Sequence, residues 1–205
     1  MTNATIEGIF PVPIYTSNIG RDFSEHELLC FNEFKKSVHK NEGNTNTVNS
    51  YVLKEFGLSV LHDQILEHVN CFFEKVYMPD YEIKPYITQS WLNFTEENQY
   101  HHQHEHPNSI VSGVLYIDAD KELDKIRFFK TPRYDALHFH SKEFGFFNSK
   151  SWDYTVSTGD LILFPSSTTH SVIQKKGKNV RTSLAFNTFV KGHLGDERML
   201  TELKL

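Results

Sequence analysis

From Tyr86 onward the apolar residues fall on alternate positions and are interrupted every few residues by Gly, Pro, Asn or Asp. Alternation sends successive side chains to opposite faces of an extended chain, so each such segment is suited to cover one face of a sheet. The expected strands are Tyr86–Phe94, Ser109–Ile117, Ile126–Lys130 and Leu161–Phe164, the last following the turn signal Thr158-Gly159-Asp160. Thr168–Gln174 and Arg181–Val190 complete the set, with a turn over Lys175–Asn179 between them. Short strands of this spacing, preceded by helices, predict a mainly β fold, a jelly roll or related barrel with two N-terminal helices packed on its outer face.

The residues before Tyr86 read differently. The first twenty form an extended lead-in, because Ile9-Phe10-Pro11-Val12-Pro13-Ile14-Tyr15 carries two prolines that forbid helix continuation. Ser24 and Glu27 make a capping-box pair, and Phe31, Phe34 and Val38 follow at helical spacing until the polar stretch Asn41–Asn49. A second helix spans Leu58 to about Tyr77, with Leu58, Leu61, Ile65, Val69, Phe72 and Val76 on one stripe and Pro79 as its stop. Cys30 and Cys71 fall in these helices and are expected to behave as small buried hydrophobes. No repeat, low-complexity tract or linker divides the chain, so residues 1–205 are expected to form one domain. Its parts would be a lead-in with supporting helices over 1–80 and a catalytic core over 86–190.

Composition removes several functional classes. An apolar content of 39% is ample for a core and excludes disorder as a description of the whole. A net charge of −5 without a Lys/Arg block argues against nucleic acid or an anionic membrane as partner. Two cysteines cannot build a disulfide framework, no signal-peptide pattern opens the chain, and no apolar run is long enough to span a membrane. A cytoplasmic protein is the expectation, and a homodimer is compatible with the sequence.

Histidine is in excess: there are 12, with His101, His102, His104 and His106 inside six consecutive residues. On an extended chain His104 and His106 project to one side, with His102 in phase if the strand continues backwards. Such a pair is half a metal site for iron, zinc, copper or nickel and needs a ligand from elsewhere. His170 is the candidate, placed just after the Pro-terminated strand Gly159-Asp160-Leu161-Ile162-Leu163-Phe164-Pro165. The alternative is a solvated polar loop. A second pair, His138 and His140, sits in a segment full of aromatics, with no third ligand matched to it in the sequence, and reads as structural or substrate-facing. Arg181 and Ser183 share a strand face, opposite to Leu184 and Phe186. A barrel-facing arginine needs an anion, either a bound carboxylate or an internal partner such as Asp160.

Taken together, Trp91-Leu92-Asn93, the run Tyr100 to Ser109, Ser112-Gly113-Val114-Leu115-Tyr116, the Gly159 to Pro165 run, His170 and Arg181-x-Ser183 resemble the 2-oxoglutarate/Fe(II)-dependent oxygenases of the small bacterial and phage type. The resemblance covers about Tyr86 to Val190, and Ile9-Phe10-Pro11-Val12-Pro13 is similar to the family's start. It implies a double-stranded β-helix holding Fe(II) on His104, His106 and His170. Arg181 and Ser183 would grip the distal carboxylate of the co-substrate 2-oxoglutarate, with Tyr116 and Asn93 as further candidates for it. With dioxygen, such an enzyme converts 2-oxoglutarate to succinate and carbon dioxide and hydroxylates a primary substrate, here an unidentified protein side chain or small molecule. The wider superfamily carries a carboxylate where His106 stands, which leaves Glu105 as a competing ligand. The segment Phe128–Trp152 is the expected lid or substrate loop. Rival readings are a cupin-type metal protein that does not use 2-oxoglutarate, and a jelly-roll interaction domain with incidental histidines.

Overall fold

The computed structural model describes residues 4–130 and 140–205. In chain order the elements are β1 (Tyr15–Asn18), α1 (Glu25–Phe34), β2 (Val38–Lys40), β3 (Thr45–Thr47), α2 (Ser59–Phe72), β4 (Ile83–Thr95), β5 (His101–His104) and β6 (Val111–Asp118). There follow β7 (Lys125–Phe129), β8 (Ser151–Thr155), β9 (Asp160–Pro165), β10 (His170–Val172), β11 (Arg181–Leu194) and β12 (Leu203–Lys204). They form two antiparallel sheets. The larger runs β1-β9-β6-β11-β4-β3-β2, with β12 also on β11, and the smaller runs β5-β10-β7-β8. This is the helix-buttressed, mainly β architecture expected of a double-stranded β-helix.

Strand alternation sorts the larger sheet into two faces. In the register of β4, β11 and β6, Leu184 lies opposite both Leu92 and Leu115. These three are fully buried in a cluster with Leu61, Ile65, Val69 and Phe72 of α2. Full burial of such a side chain is worth roughly 1.5–3 kcal/mol, so this stripe is what holds the helix on the sheet. The opposite face, one residue out of phase, meets the smaller sheet. There Tyr116, Ile126, Phe128, Val156, Ile162 and Phe164 form a second cluster inside the barrel. Gly113 fits where β6 crosses β11 because a Cβ at this position would overlap the Phe186 ring and the Leu163 side chain.

Both helices form where the sequence predicts them, with one correction. The capping box of Ser24 and Glu27 is present and Arg21 clamps Glu27 with two hydrogen bonds, but α1 ends at Phe34 and Val38 belongs to β2. The polar stretch beyond it is not a mere breaker: Val38–Lys40 and Thr45–Thr47 pair as a hairpin, which joins β4 through Thr45 and Asn46. With Val38 as the one apolar residue of its strands, the hairpin has no apolar alternation to reveal it. The second helix continues past α2 as a π-helical turn over Phe73–Tyr77, ending at Met78 in a left-handed conformation (φ 43°) just before Pro79. Lys175 and Asp124, both buried, lie 3.6 Å apart and tie the Lys175–Asn179 turn to the β6–β7 connection. No described helix is long and apolar enough to cross a membrane.

Candidate active site

The inner face of the larger sheet presents the predicted residues in rows. Ser183 on β11 lies opposite Asn93 on β4 and Tyr116 on β6, and one row away Ala185 lies opposite Trp91 and Val114. Two residues from Ser183 in the other direction, Arg181 lies opposite Thr95. Asn93, Tyr116, Arg181 and Ser183 all line one cavity between the sheets and are all at least nine-tenths buried. Trp91, Val114 and Ala185 line it as well; the sequence reading did not single out these positions as lining, although counting in twos from Asn93, Tyr116 and Ser183 reaches them. On the facing sheet, His170 of β10 sits between His104 of β5 and Phe128 of β7.

His104, His106 and His170 converge on this cavity, their donor atoms all within 4.8 Å of one another. His106 lies beyond the end of β5, positioned by its backbone N–H donating to the Ser166 carbonyl (3.0 Å), and its ring is 5.8 Å from that of Trp91. Nε2 of His106 and Nε2 of His170 are 3.4 Å apart, about the separation of two nitrogens each some 2.1 Å from one ion. His102, expected in phase with them, does not line the cavity; His101 does, stacked on His104 with centroids 4.5 Å apart. The cause is a bulge. His170 pairs with His104 but Val172 pairs with His101, so three steps along β5 oppose two along β10. The extra residue reverses the alternation and puts positions three apart on the same side. A second convergent set, His101, His102 and His104, results.

The donors suit a metal. Nδ1 of His104 faces the His102 carbonyl at 2.8 Å and Nδ1 of His170 faces the Thr168 carbonyl at 3.0 Å. A carbonyl only accepts, so both Nδ1 atoms carry the proton and both Nε2 lone pairs are free. Burial, with the nearby histidine rings adding to it, depresses His170 to about 3 and His106 to about 4, and burial also lowers His104. All three are neutral imidazoles near pH 7, the form that ligates. Glu105 is exposed, its carboxylate accepting from the Thr169 hydroxyl, and it lies outside both convergent sets.

Arg181 is 2% exposed, and Thr95 Oγ1 at 3.2 Å is its side-chain hydrogen-bond acceptor. Its Nε and the Asn93 Oδ1 are buried without hydrogen-bond partners among the described residues. Asp160 takes up the Asn18 amide and the Ser157 backbone N–H instead of the guanidinium. No carboxylate among the described residues pairs with Arg181. A buried cation lacking a counter-ion among the described residues, beside two hydroxyl groups that can donate, fits an incoming carboxylate. The residues present therefore suit both the metal and the anionic co-substrate of the expected family.

Of the remaining expectations, the lid segment is only partly described. Residues 131–139, including His138, lie outside the described residues. Strands β7 and β8 pair at its base, and Phe146 stacks on Trp152 at 4.5 Å with Phe144, Phe146 and Phe147 exposed.

The sequence matches the family described as "Putative 2OG-Fe(II) oxygenase" over residues 89–187. No curated protein matches it. Among solved structures, HygX from Streptomyces hygroscopicus with nickel, 2-oxoglutarate and hygromycin B is similar, with a TM-score of 0.58 and 12% identity over 86% of this chain and 82% of that one. A prolyl-4-hydroxylase from Pseudomonas putida superposes with a TM-score of 0.55 and 12% identity, over 86% of this chain and 92% of the other. A prolyl hydroxylase from Trichoplax adhaerens, in complex with a hypoxia inducible factor peptide, gives a TM-score of 0.57 and 13% identity over 86% and 83%. At these identities the structural likeness speaks to the fold, the double-stranded β-helix, while the family match spans the strands that carry the cavity. Over the strands that carry the cavity the chain is similar to the 2-oxoglutarate/Fe(II)-dependent oxygenases.

Proposed function

We propose that His104, His106 and His170 hold Fe(II), that Arg181 and Ser183, with Tyr116 and Asn93, hold the distal carboxylate of 2-oxoglutarate, and that the enzyme hydroxylates a protein side chain or small molecule entering from the metal-bearing rim. The observation that carries the assignment is the buried guanidinium of Arg181, without a carboxylate partner among the described residues, in the cavity that the three rings also line. When bound, Fe(II) with 2-oxoglutarate and dioxygen supplies the oxidising chemistry, releasing succinate and carbon dioxide and placing one oxygen atom in a substrate C–H bond.

The chain's own part is to bind, orient and keep dry. Arg181 neutralises one carboxylate in a site from which water is excluded, where a charge-assisted pair gains strength. Burial, the largest effect on it, disfavours ionisation of the Tyr116 phenol, so its hydroxyl remains a neutral donor toward an anion. The Thr168 and His102 carbonyls fix two ligand rings in the tautomer that points Nε2 inward. Three neutral ligands cancel none of a divalent ion's charge, which favours a dianionic co-substrate. Phe164, Ile126 and Val114 give the cavity apolar walls that shield the oxidising centre. A cupin that does not use 2-oxoglutarate would leave Arg181, Ser183 and Asn93 without a task.

Iron retention tests the ligand set. His104→Ala, His106→Ala and His170→Ala should each lose stoichiometric Fe(II) in anaerobic dialysis, whereas Glu105→Gln should keep it. Loss in Glu105→Gln with retention in His106→Ala would reverse the assignment.

A further inference from the structure

His101 and His102 stand beside the proposed iron ligands without a part in the reaction. Their ring donors and that of His104 lie within 4.8 Å of one another. Nδ1 of His102 is buried and has no hydrogen-bond partner among the described residues, and Glu42 Oε2 lies 4.0 Å from it. Glu42 comes from the turn between β2 and β3, which is held against this strand. The Tyr100 N–H donates to the Gly43 carbonyl (3.1 Å), and the Asn41 side-chain amide meets Nε2 of His101 (3.2 Å); with the amide oxygen turned to accept from Nε2–H, Nδ1 of that ring keeps its lone pair for an ion. Gly43 has φ 91°, and a Cβ there would collide with the Tyr100 carbonyl, so only glycine lets the turn lie this close.

We propose that His101, His102 and His104, with Glu42 at the rim, form a second site for a borderline transition-metal ion such as Zn(II), Ni(II) or Co(II), and that this site shares His104 with the iron site so that the two fill alternately. Three imidazoles and a carboxylate oxygen are a donor set that Zn(II) and its neighbours take in four-coordinate form. The sharing, which rests on the iron ligands proposed above, follows from His104 itself. Its Nδ1 is committed to the His102 carbonyl, so one lone pair, on Nε2, is available, and one lone pair binds one ion. Divalent ions later in the series than Fe(II) bind nitrogen sites more tightly, so they would draw His104 away from iron.

Co(II), titrated alone and then with 2-oxoglutarate while its visible bands are followed, tests this with folded full-length variants. Wild type should take up one equivalent. His170→Ala should still take up one, with bands that no longer respond to 2-oxoglutarate. His102→Ala should take up one whose bands do respond, and the double variant none. Glu42→Gln, an exposed change, should weaken Co(II) binding by His170→Ala roughly tenfold or more and guards against misfolding as the cause of loss. No uptake by His170→Ala together with one equivalent in His102→Ala, or uptake persisting in the double variant, overturns the second site. Two equivalents in wild type overturn the sharing of His104. A 2-oxoglutarate response retained in His170→Ala overturns instead the iron-ligand assignment on which the sharing rests.

Discussion

Replacing Arg181 by methionine should act in opposite directions on folding and on co-substrate binding. In the protein alone the guanidinium is 2% exposed, has the Thr95 hydroxyl as its side-chain hydrogen-bond acceptor and leaves Nε unpartnered among the described residues. Burial lowers its pKa, the mark of a charge held at a cost. Exchanging a buried charge for an apolar side chain of similar volume is commonly neutral or stabilising by about 1–4 kcal/mol. Unfolding of metal-free Arg181→Met in urea should therefore show an unchanged or higher midpoint, each kcal/mol raising Tm by roughly 2–4 °C for a chain of this size. Binding should change the other way. Removing one partner of a buried charge pair costs about 2–5 kcal/mol, which at 1.4 kcal/mol per decade weakens 2-oxoglutarate binding roughly 30-fold to several-thousand-fold. Anaerobic calorimetric titration of the Fe(II)-loaded protein with 2-oxoglutarate measures it. If Arg181 were instead a structural ion, the variant would lose about 3–5 kcal/mol of stability and keep its affinity. That pair of results would refute the reasoning.

Two further outcomes follow from the same structure. In the metal-free protein the folded pKa values of His170 and His106, about 3 and about 4, lie below the unfolded value of about 6.5. Between these limits the unfolded chain binds more protons than the folded one, so stability is complete above about pH 6.5 and falls as the pH drops toward 4, by about 1.4 kcal/mol per pH unit for buried His170 alone. Equal urea midpoints at pH 7 and pH 5 would contradict this. Lys175→Met leaves buried Asp124 without its counter-charge and should destabilise by about 3–5 kcal/mol, with Asp124→Leu in the same chain restoring much of the loss; additive losses in urea denaturation would show that the two do not act as a pair.

The larger sheet was legible because its strands alternate cleanly: Leu92, Leu115 and Leu184 mark one face, while Asn93, Tyr116 and Ser183 mark the other. The stripe from Leu58 to Phe72 likewise announced α2 and the face it buries. What escaped had no apolar periodicity to expose it. The strands of the β2–β3 hairpin have Val38 as their one apolar residue, and β5 is almost wholly histidine. On β5 alternation was also the wrong rule, since the bulge against β10 exchanges His102 for His101 on the cavity wall. A bulge is a property of the pairing between two strands and leaves no mark in either one alone. Arg181 was recognisable as a charge on an inward face, but that Asp160 is turned away toward Asn18 and Ser157 needed the structure.

The most direct test is anaerobic addition of 2-oxoglutarate to the Fe(II)-loaded wild-type protein while the visible spectrum is recorded. No primary substrate is needed. A saturable metal-to-ligand charge-transfer band should appear, be absent from His170→Ala, and require far more 2-oxoglutarate in Arg181→Met. A wild-type protein that retains iron yet shows no band, or an Arg181→Met protein that saturates at the wild-type concentration, would contradict the account.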